Sequence, residues 1–271
     1  MELGLRGRVA IVTGGSMGIG RACIEAFSGQ GVKVATCARS IDALRQVAEE
    51  ISSKTETEIL PFKADVTNPE DVKRFVAAAY DKFGRIDILV PAAVNFVLRS
   101  SFLEYTDEHW WNHFNTKVIG CVRCTKEVLP YMKERKWGRI INMAGSAARG
   151  GGGTAGGTNP AIINFTKVLS DEVAKDGITV NAIHPTTRGA TRGGTEIDGA
   201  TMRDEERARY ENISLEELKA QSIRRFAERP GPQVQAEDSG NMLLFLASDR
   251  AAAITGQTIS VSGGLGQGVY Y

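Results

Sequence analysis

The 271-residue chain predicts an α/β fold: a parallel sheet covered on both faces by helices. Three observations predict it. Short apolar runs of strand length alternate with longer amphipathic runs along the whole chain. The first apolar run, Val9 to Val12, passes directly into a glycine-rich turn and then a helical pattern. No linker, low-complexity stretch or fixed-period repeat interrupts the alternation. Strands separated by helices form βαβ units, which pair in parallel and are buried on both faces.

The elements follow in order. Val9 to Val12 is a buried strand, and the helix after the turn carries Ala22, Ile24, Ala26 and Phe27. Val32 to Ala38 is the second strand. Ile41 to Ser52 is a helix with Leu44, Val47, Ala48 and Ile51 at helical spacing. Glu58 to Phe62 is the third strand; Thr67 or Asn68 caps the next helix, with Pro69 in its first turn and Val72, Phe75, Val76 and Ala79 on its apolar side. Ile86 to Val90 is a fourth strand closed by Pro91. Thr106 to Leu129 is one long helix striped by Trp110, Phe114, Val118 and Val122. Arg139 to Met143 is a strand, Ala161 to Lys175 a helix, Thr179 to Ile183 a strand, Asn241 to Ala247 a helix and Thr258 to Val261 the last strand. Together they give about seven strands in a Rossmann-type doubly wound sheet, and residues 1–271 are expected to form one domain. Residues 186–232 are a polar insertion with helical pieces around Arg203–Tyr210 and Leu215–Phe226. It begins where a parallel sheet binds its ligands, so a lid over the site is expected.

Composition narrows the function. A net charge of +1 gives no global field for nucleic acid or an anionic membrane, and neither is an expected partner. No run approaches the ~18 apolar residues of a spanning helix. Met1 to Arg8 is short and polar, unlike a signal peptide, so a cytoplasmic location is expected. Cys23, Cys37, Cys121 and Cys124 are expected as packed thiols, although the last two form a C-x-x-C. His109, His113 and His184 lack metal-type spacing, so no metal is expected, and His113 is expected to be packed. Trp110, Trp111 and Trp137 are expected as core or interface anchors.

The stretch V-A-I-V-T-G-G-S-M-G-I-G-R points to a dinucleotide. A strand, a glycine turn and a helix set free backbone N–H groups and the positive end of a helix dipole against a pyrophosphate. Gly14 supplies the turn, Gly18 the close approach and Gly20 the tight packing, with Ser16, Met17 and Ile19 in the same segment.

With T-G-G-S-M-G-I-G at its start, the chain resembles the short-chain dehydrogenase/reductase family nearly end to end. Further matches are Asp65-Val66, Asn115 in N-T-K-V-I-G, G-R-I-I-N-M, V-N-A-I-H-P and I-T-G-Q-T-I-S-V-S-G-G. The resemblance implies oxidation or reduction of a small-molecule carbonyl/alcohol substrate with a nicotinamide cofactor. It implies that Asp65 and Val66 hold the adenine ring, that Ala92 and Pro185 contact the cofactor, and that Asn115 belongs to the active site. It also implies a homotetramer or dimer built through the long helices. NAD use in such a fold calls for an acidic residue after strand two. Ala38-Arg39-Ser40 stands there instead, and a guanidinium fork with a serine hydroxyl suits a 2′-phosphate, so NADP(H) is preferred and NAD(H) remains possible.

One departure stands out. The family's tyrosine and lysine, spaced Y-x-x-x-K, transfer the hydroxyl proton and hold the ribose. Registered from Asn164-Phe165-Thr166, those positions fall on Ala155 and Asn159, and no tyrosine or lysine occurs between Met143 and Pro160. The serine position falls on Gly145 or Ser146, and Pro91-Ala92-Ala93-Val94 replaces the usual turn after strand four. The first reading is an oxidoreductase with another proton route, through Ser146, Thr154, Tyr210 or water held by Asn115 and Asn159. There Asn115 holds water or substrate, Ser146 bonds the substrate oxygen and Asn159 takes over the ribose. The alternatives are a dinucleotide-binding sensor, partner subunit or scaffold, and a non-redox dehydratase or isomerase. Arg188, Arg192, Arg203, Arg207 and Arg209 would suit an acidic substrate, but interleaved Glu196, Asp198, Asp204, Glu205 and Glu206 favour local ion pairs.

Overall fold

The computed structural model describes residues 2–95, 102–145, 153–185, 213–214, 216–217, 220 and 236–262. Its elements are β1 (Val9–Thr13), α1 (Gly18–Gly29), β2 (Lys33–Ala38), α2 (Ile41–Thr55), β3 (Ile59–Lys63), α3 (Pro69–Phe83) and β4 (Ile88–Pro91). There follow α4 (Asp107–Phe114), a π-helical turn (Asn115–Ile119), α5 (Gly120–Arg135), β5 (Gly138–Met143), α6 (Ala155–Val173), β6 (Ile178–Pro185), α7 (Ala236–Ala247) and β7 (Thr258–Val261). The strands form one parallel seven-stranded sheet in the order β3-β2-β1-β4-β5-β6-β7. The order reverses between β1 and β4, and ligands bind in the crevice outside the carboxyl ends of strands at such a point.

Alternation along the strands builds a core on each face. Ala10 and Val12 face α1 and α7 with Phe27, Ile24 and Leu243, while Ile11, Ala35 and Leu89 face α3 and α5 with Phe75, Val128 and Met132. The N-terminus of α3 is closed by Asn68, whose Oδ1 accepts from the backbone N–H groups of Glu70 at 3.0 Å and Asp71 at 3.4 Å, with Pro69 in the first turn. All four cysteines are buried free thiols, as expected, and burial pushes each thiol pKa up.

Three helices differ from the sequence reading. The helix expected from Ala161 begins at Ala155, the long helix expected to stop at Leu129 runs on to Arg135, and the helix expected from Asn241 begins at Ala236. The first two expected boundaries lie beside a proline. Pro160 and Pro130 lie inside helices, where each removes one backbone donor without ending the packed helix. In α6 the small residues serve packing: a Cβ on Gly157 would lie 3.0 Å from the Trp110 ring and 3.4 Å from Phe114. The tryptophans also divide. The guanidiniums of Arg8 and Arg139 lie over the Trp137 ring, 3.7 and 4.2 Å from its centroid, and Trp137 donates its indole N–H to Asp249 at 2.8 Å. Trp111 is 63% exposed, so it is no core anchor in the isolated chain. The 186–232 reading, with its arginines and Tyr210, falls outside the described residues apart from 213–214, 216–217 and 220; Ser146 falls outside them altogether.

Candidate active site

The turn after β1 is shaped by close contacts. Gly14 has φ +74°, and a Cβ there would lie 2.9 Å from the Ala93 Cα, so β1 and the segment after β4 touch backbone to backbone. Gly18 has φ +57° with open space where a side chain would point. A Cβ on Gly20 would lie 2.2 Å from the Gly14 carbonyl oxygen, which locks α1 onto the turn. A Cβ on Gly15 would likewise lie 2.0 Å from Thr36 Oγ1, a constraint that the glycine spacing alone did not reveal. At the start of α1, Met17 makes no side-chain cap and the first turn holds no acidic residue. The orphan N–H groups and the dipole of α1 are thus left for an anion.

Arg39 and Ser40 lie exposed beyond β2, and the Ser40 hydroxyl does not cap α2. Asp65 Oδ1 accepts from the Thr67 N–H at 2.9 Å and the Thr67 hydroxyl at 2.8 Å, which holds the turn after β3. Val66 is buried against Gly120, where a Cβ would lie 2.9 Å from Val66 Cγ2. Ala92 and Pro185 are half-buried at the carboxyl ends of β4 and β6. The open face at Gly18 and the uncapped helix start fit the pyrophosphate of a dinucleotide.

The second half of the site lies between the long helix and α6. Ala155 and Asn159 are both buried on α6. Asn115 opens the π-helical turn, and its Oδ1 accepts from Arg123 Nη1 at 2.9 Å, which also donates to the Val66 carbonyl at 3.2 Å. Its side-chain oxygen is therefore turned toward Arg123. The side of the long helix that meets α6 carries His113 and Lys117 instead. His113 Nδ1 is hydrogen-bonded to Thr154 Oγ1 at 2.6 Å, both residues being buried. Lys117 Nζ donates to Asn159 Oδ1 at 2.5 Å.

An ammonium has only donors, so the Asn159 amide must turn its oxygen to Lys117. The Nδ2 end then points at Gly145, where a Cβ would lie 2.7 Å away. Nearby, His184 is buried near the carboxyl end of β6, and its Nε2 has no hydrogen-bond partner among the described residues. Burial, and next the positive charge of Lys117, hold the His184 imidazole below its usual pKa. Sequence reasoning missed Lys117. The available signal was its position one helical turn after His113, on the side that faces α6.

A sequence model of the short-chain dehydrogenases matches residues 8–199. The chain belongs to this family and is an NAD(P)-dependent oxidoreductase of its type. The 3-oxoacyl-(acyl-carrier-protein) reductase of Staphylococcus epidermidis is 32% identical over 260 residues, covering 94% of this chain and 98% of that one. Its Escherichia coli counterpart is 30% identical over 268 residues, covering 97% and 99%. Among solved structures, the L-sorbose reductase of Gluconobacter frateurii, complexed with NADPH and L-sorbose, matches with a TM-score of 0.87 at 29% identity, covering 99% of this chain and 100% of that one. A point variant of the actinorhodin polyketide ketoreductase with NADPH matches with a TM-score of 0.85 at 32% identity, covering 96% and 98%.

Proposed function

We propose that the protein interconverts a carbonyl and its alcohol with NADP(H), through an active site without the family's tyrosine–lysine pair. The observation that carries the cofactor preference is the exposed Arg39-Ser40 beyond β2, with no carboxylate in that segment. Its guanidinium can fork onto a 2′-phosphate, which NAD(H) lacks. Gly14, Ser16, Met17, Gly18, Ile19 and Gly20 hold the pyrophosphate, Asp65 and Val66 the adenine end, and Ala92 and Pro185 line the nicotinamide side. When bound, the reduced cofactor supplies a hydride.

The protein's residues do the rest. Asn159 holds the ribose and Ser146 bonds the substrate oxygen. Thr154, paired with His113, moves a proton at that oxygen in place of a phenol at position 155. A missing positioned acid typically costs ~10²–10⁴ in rate, so slow turnover is expected. The chain works as one domain, with residues 186–232 over the substrate and an oligomer formed through the long helices, where Trp111 and Val168 stand exposed.

The test follows absorbance during incubation with NADPH and a panel of ketones and keto-esters, with NADH in parallel. NADPH oxidation that needs a carbonyl substrate is expected. Tight NADPH binding with no turnover across the panel would return the chain to a sensor or scaffold. Substrate conversion without any cofactor would make it a dehydratase or isomerase.

A further inference from the structure

We propose that Lys117 is the cation of this active site, delivered from the long helix rather than from α6, and that it acts through Asn159. The inference rests on the cofactor reading above. The resemblance expects a single lysine at position 159 to be both hydrogen-bond donor and positive charge. The structure divides these tasks between two residues. Asn159 occupies the position, buried, with Nδ2 toward Gly145 at the carboxyl end of β5. Lys117 donates to Asn159 Oδ1 from the opposite helix at 2.5 Å.

Three physical consequences follow. The ammonium fixes the amide orientation, because a flipped amide would set N–H groups against a cation with nothing to accept. A charged donor on Oδ1 polarises the amide and strengthens Nδ2–H as a donor to a ribose hydroxyl. The charge also reaches the site: after burial, it is the second cause that lowers the pKa of the His184 imidazole. Lys117 is thus a positioning residue, and Asn159 is the group that touches the cofactor.

The helix geometry supports this assignment. His113 and Lys117 are one turn apart on the same side and meet α6 at Thr154 and Asn159 respectively. The π-helical turn that contains Lys117 is the kind of irregularity that collects at functional sites. Asn115, two residues earlier, faces Arg123 instead. The position of Lys117 is therefore not a free surface rotamer but part of the seam between the two helices.

The test measures NADPH dissociation constants by fluorescence quenching on the wild type, Lys117→Met, Lys117→Arg, and the exchange variant Lys117→Asn with Asn159→Lys. Lys117→Met is expected to weaken binding by about tenfold or more, the usual worth of a charge-assisted hydrogen bond. Lys117→Arg is expected to retain most of the affinity. The exchange variant, which returns the lysine to α6, is expected to recover to within about threefold of wild type. The Asn159 side-chain amide resonances should move in Lys117→Met in the absence of cofactor. Unchanged affinity and unchanged amide resonances in Lys117→Met overturn the inference while leaving the cofactor reading intact. Wild-type protein that takes up no NADPH removes both. If Lys117→Met fails to fold, the exchange variant decides: loss of binding in a folded exchange variant contradicts the division of labour.

Discussion

The two halves of the site are built in different ways. The turn after β1 is made by backbone: Gly14, Gly15, Gly18 and Gly20 sit where a side chain would strain the chain, collide with it or fill ligand space. The seam between the long helix and α6 is made by side chains that meet across a large sequence separation, such as Lys117 and Asn159, 42 residues apart. The first kind of site tolerates almost no substitution and announces itself locally. The second can be rewired, because a donor or a charge lost from one helix can return from its neighbour.

That contrast can be broken most forcefully at Gly20. Gly20→Val drives a side chain into the Gly14 carbonyl, 2.2 Å from where its Cβ would lie. It should cost about 3 kcal/mol of stability and abolish nucleotide binding, read by thermal unfolding and calorimetry. A stable variant that still binds would show that the turn is not rigid. Next in size is Arg39→Asp. Exchanging the guanidinium for a carboxylate should weaken NADPH by about a hundredfold and make NADH the better ligand. An unchanged ratio of affinities would discard the 2′-phosphate assignment.

At the seam, the effects should be smaller. Asn68→Ala tests ordinary helix energetics: loss of its two cap bonds should lower stability by about 1 kcal/mol. His184 gives the pH dependence. Its pKa lies lower in the folded protein than in the unfolded chain, so the unfolded state binds the proton first as pH falls. Folding stability should therefore decline as pH drops below the ordinary histidine value of about 6.5, with no contribution from this group above it. His184→Gln should flatten that part of the stability profile. In Lys117→Met, an NMR titration should find the His184 pKa moved up toward the ordinary value.

Much of the fold was legible in the sequence for the same reason that the first half of the site was. The strands are short apolar runs, and the turn after β1 is spelled by adjacent glycines. Asn68-Pro69 marks a helix start through one side chain's contact with its own backbone. The start of α6 was not legible: a run rich in glycine reads as a loop until Trp110 and Phe114 pack against Gly157. The lack of any tyrosine or lysine between Met143 and Pro160 was plain, because it is read from one stretch. The pairing of Lys117 with Asn159 was not plain, because it forms only when the long helix lies against α6. Asn115 was singled out by its motif, yet its side-chain oxygen faces Arg123.

The most direct test of the account is a crystal structure with NADPH bound, read at the nicotinamide ribose. The account predicts that the Asn159 amide nitrogen donates to a ribose hydroxyl while Lys117 holds the amide oxygen behind it. A tyrosine and a lysine from another segment or another subunit in contact with that ribose, with Asn159 turned away, would contradict it.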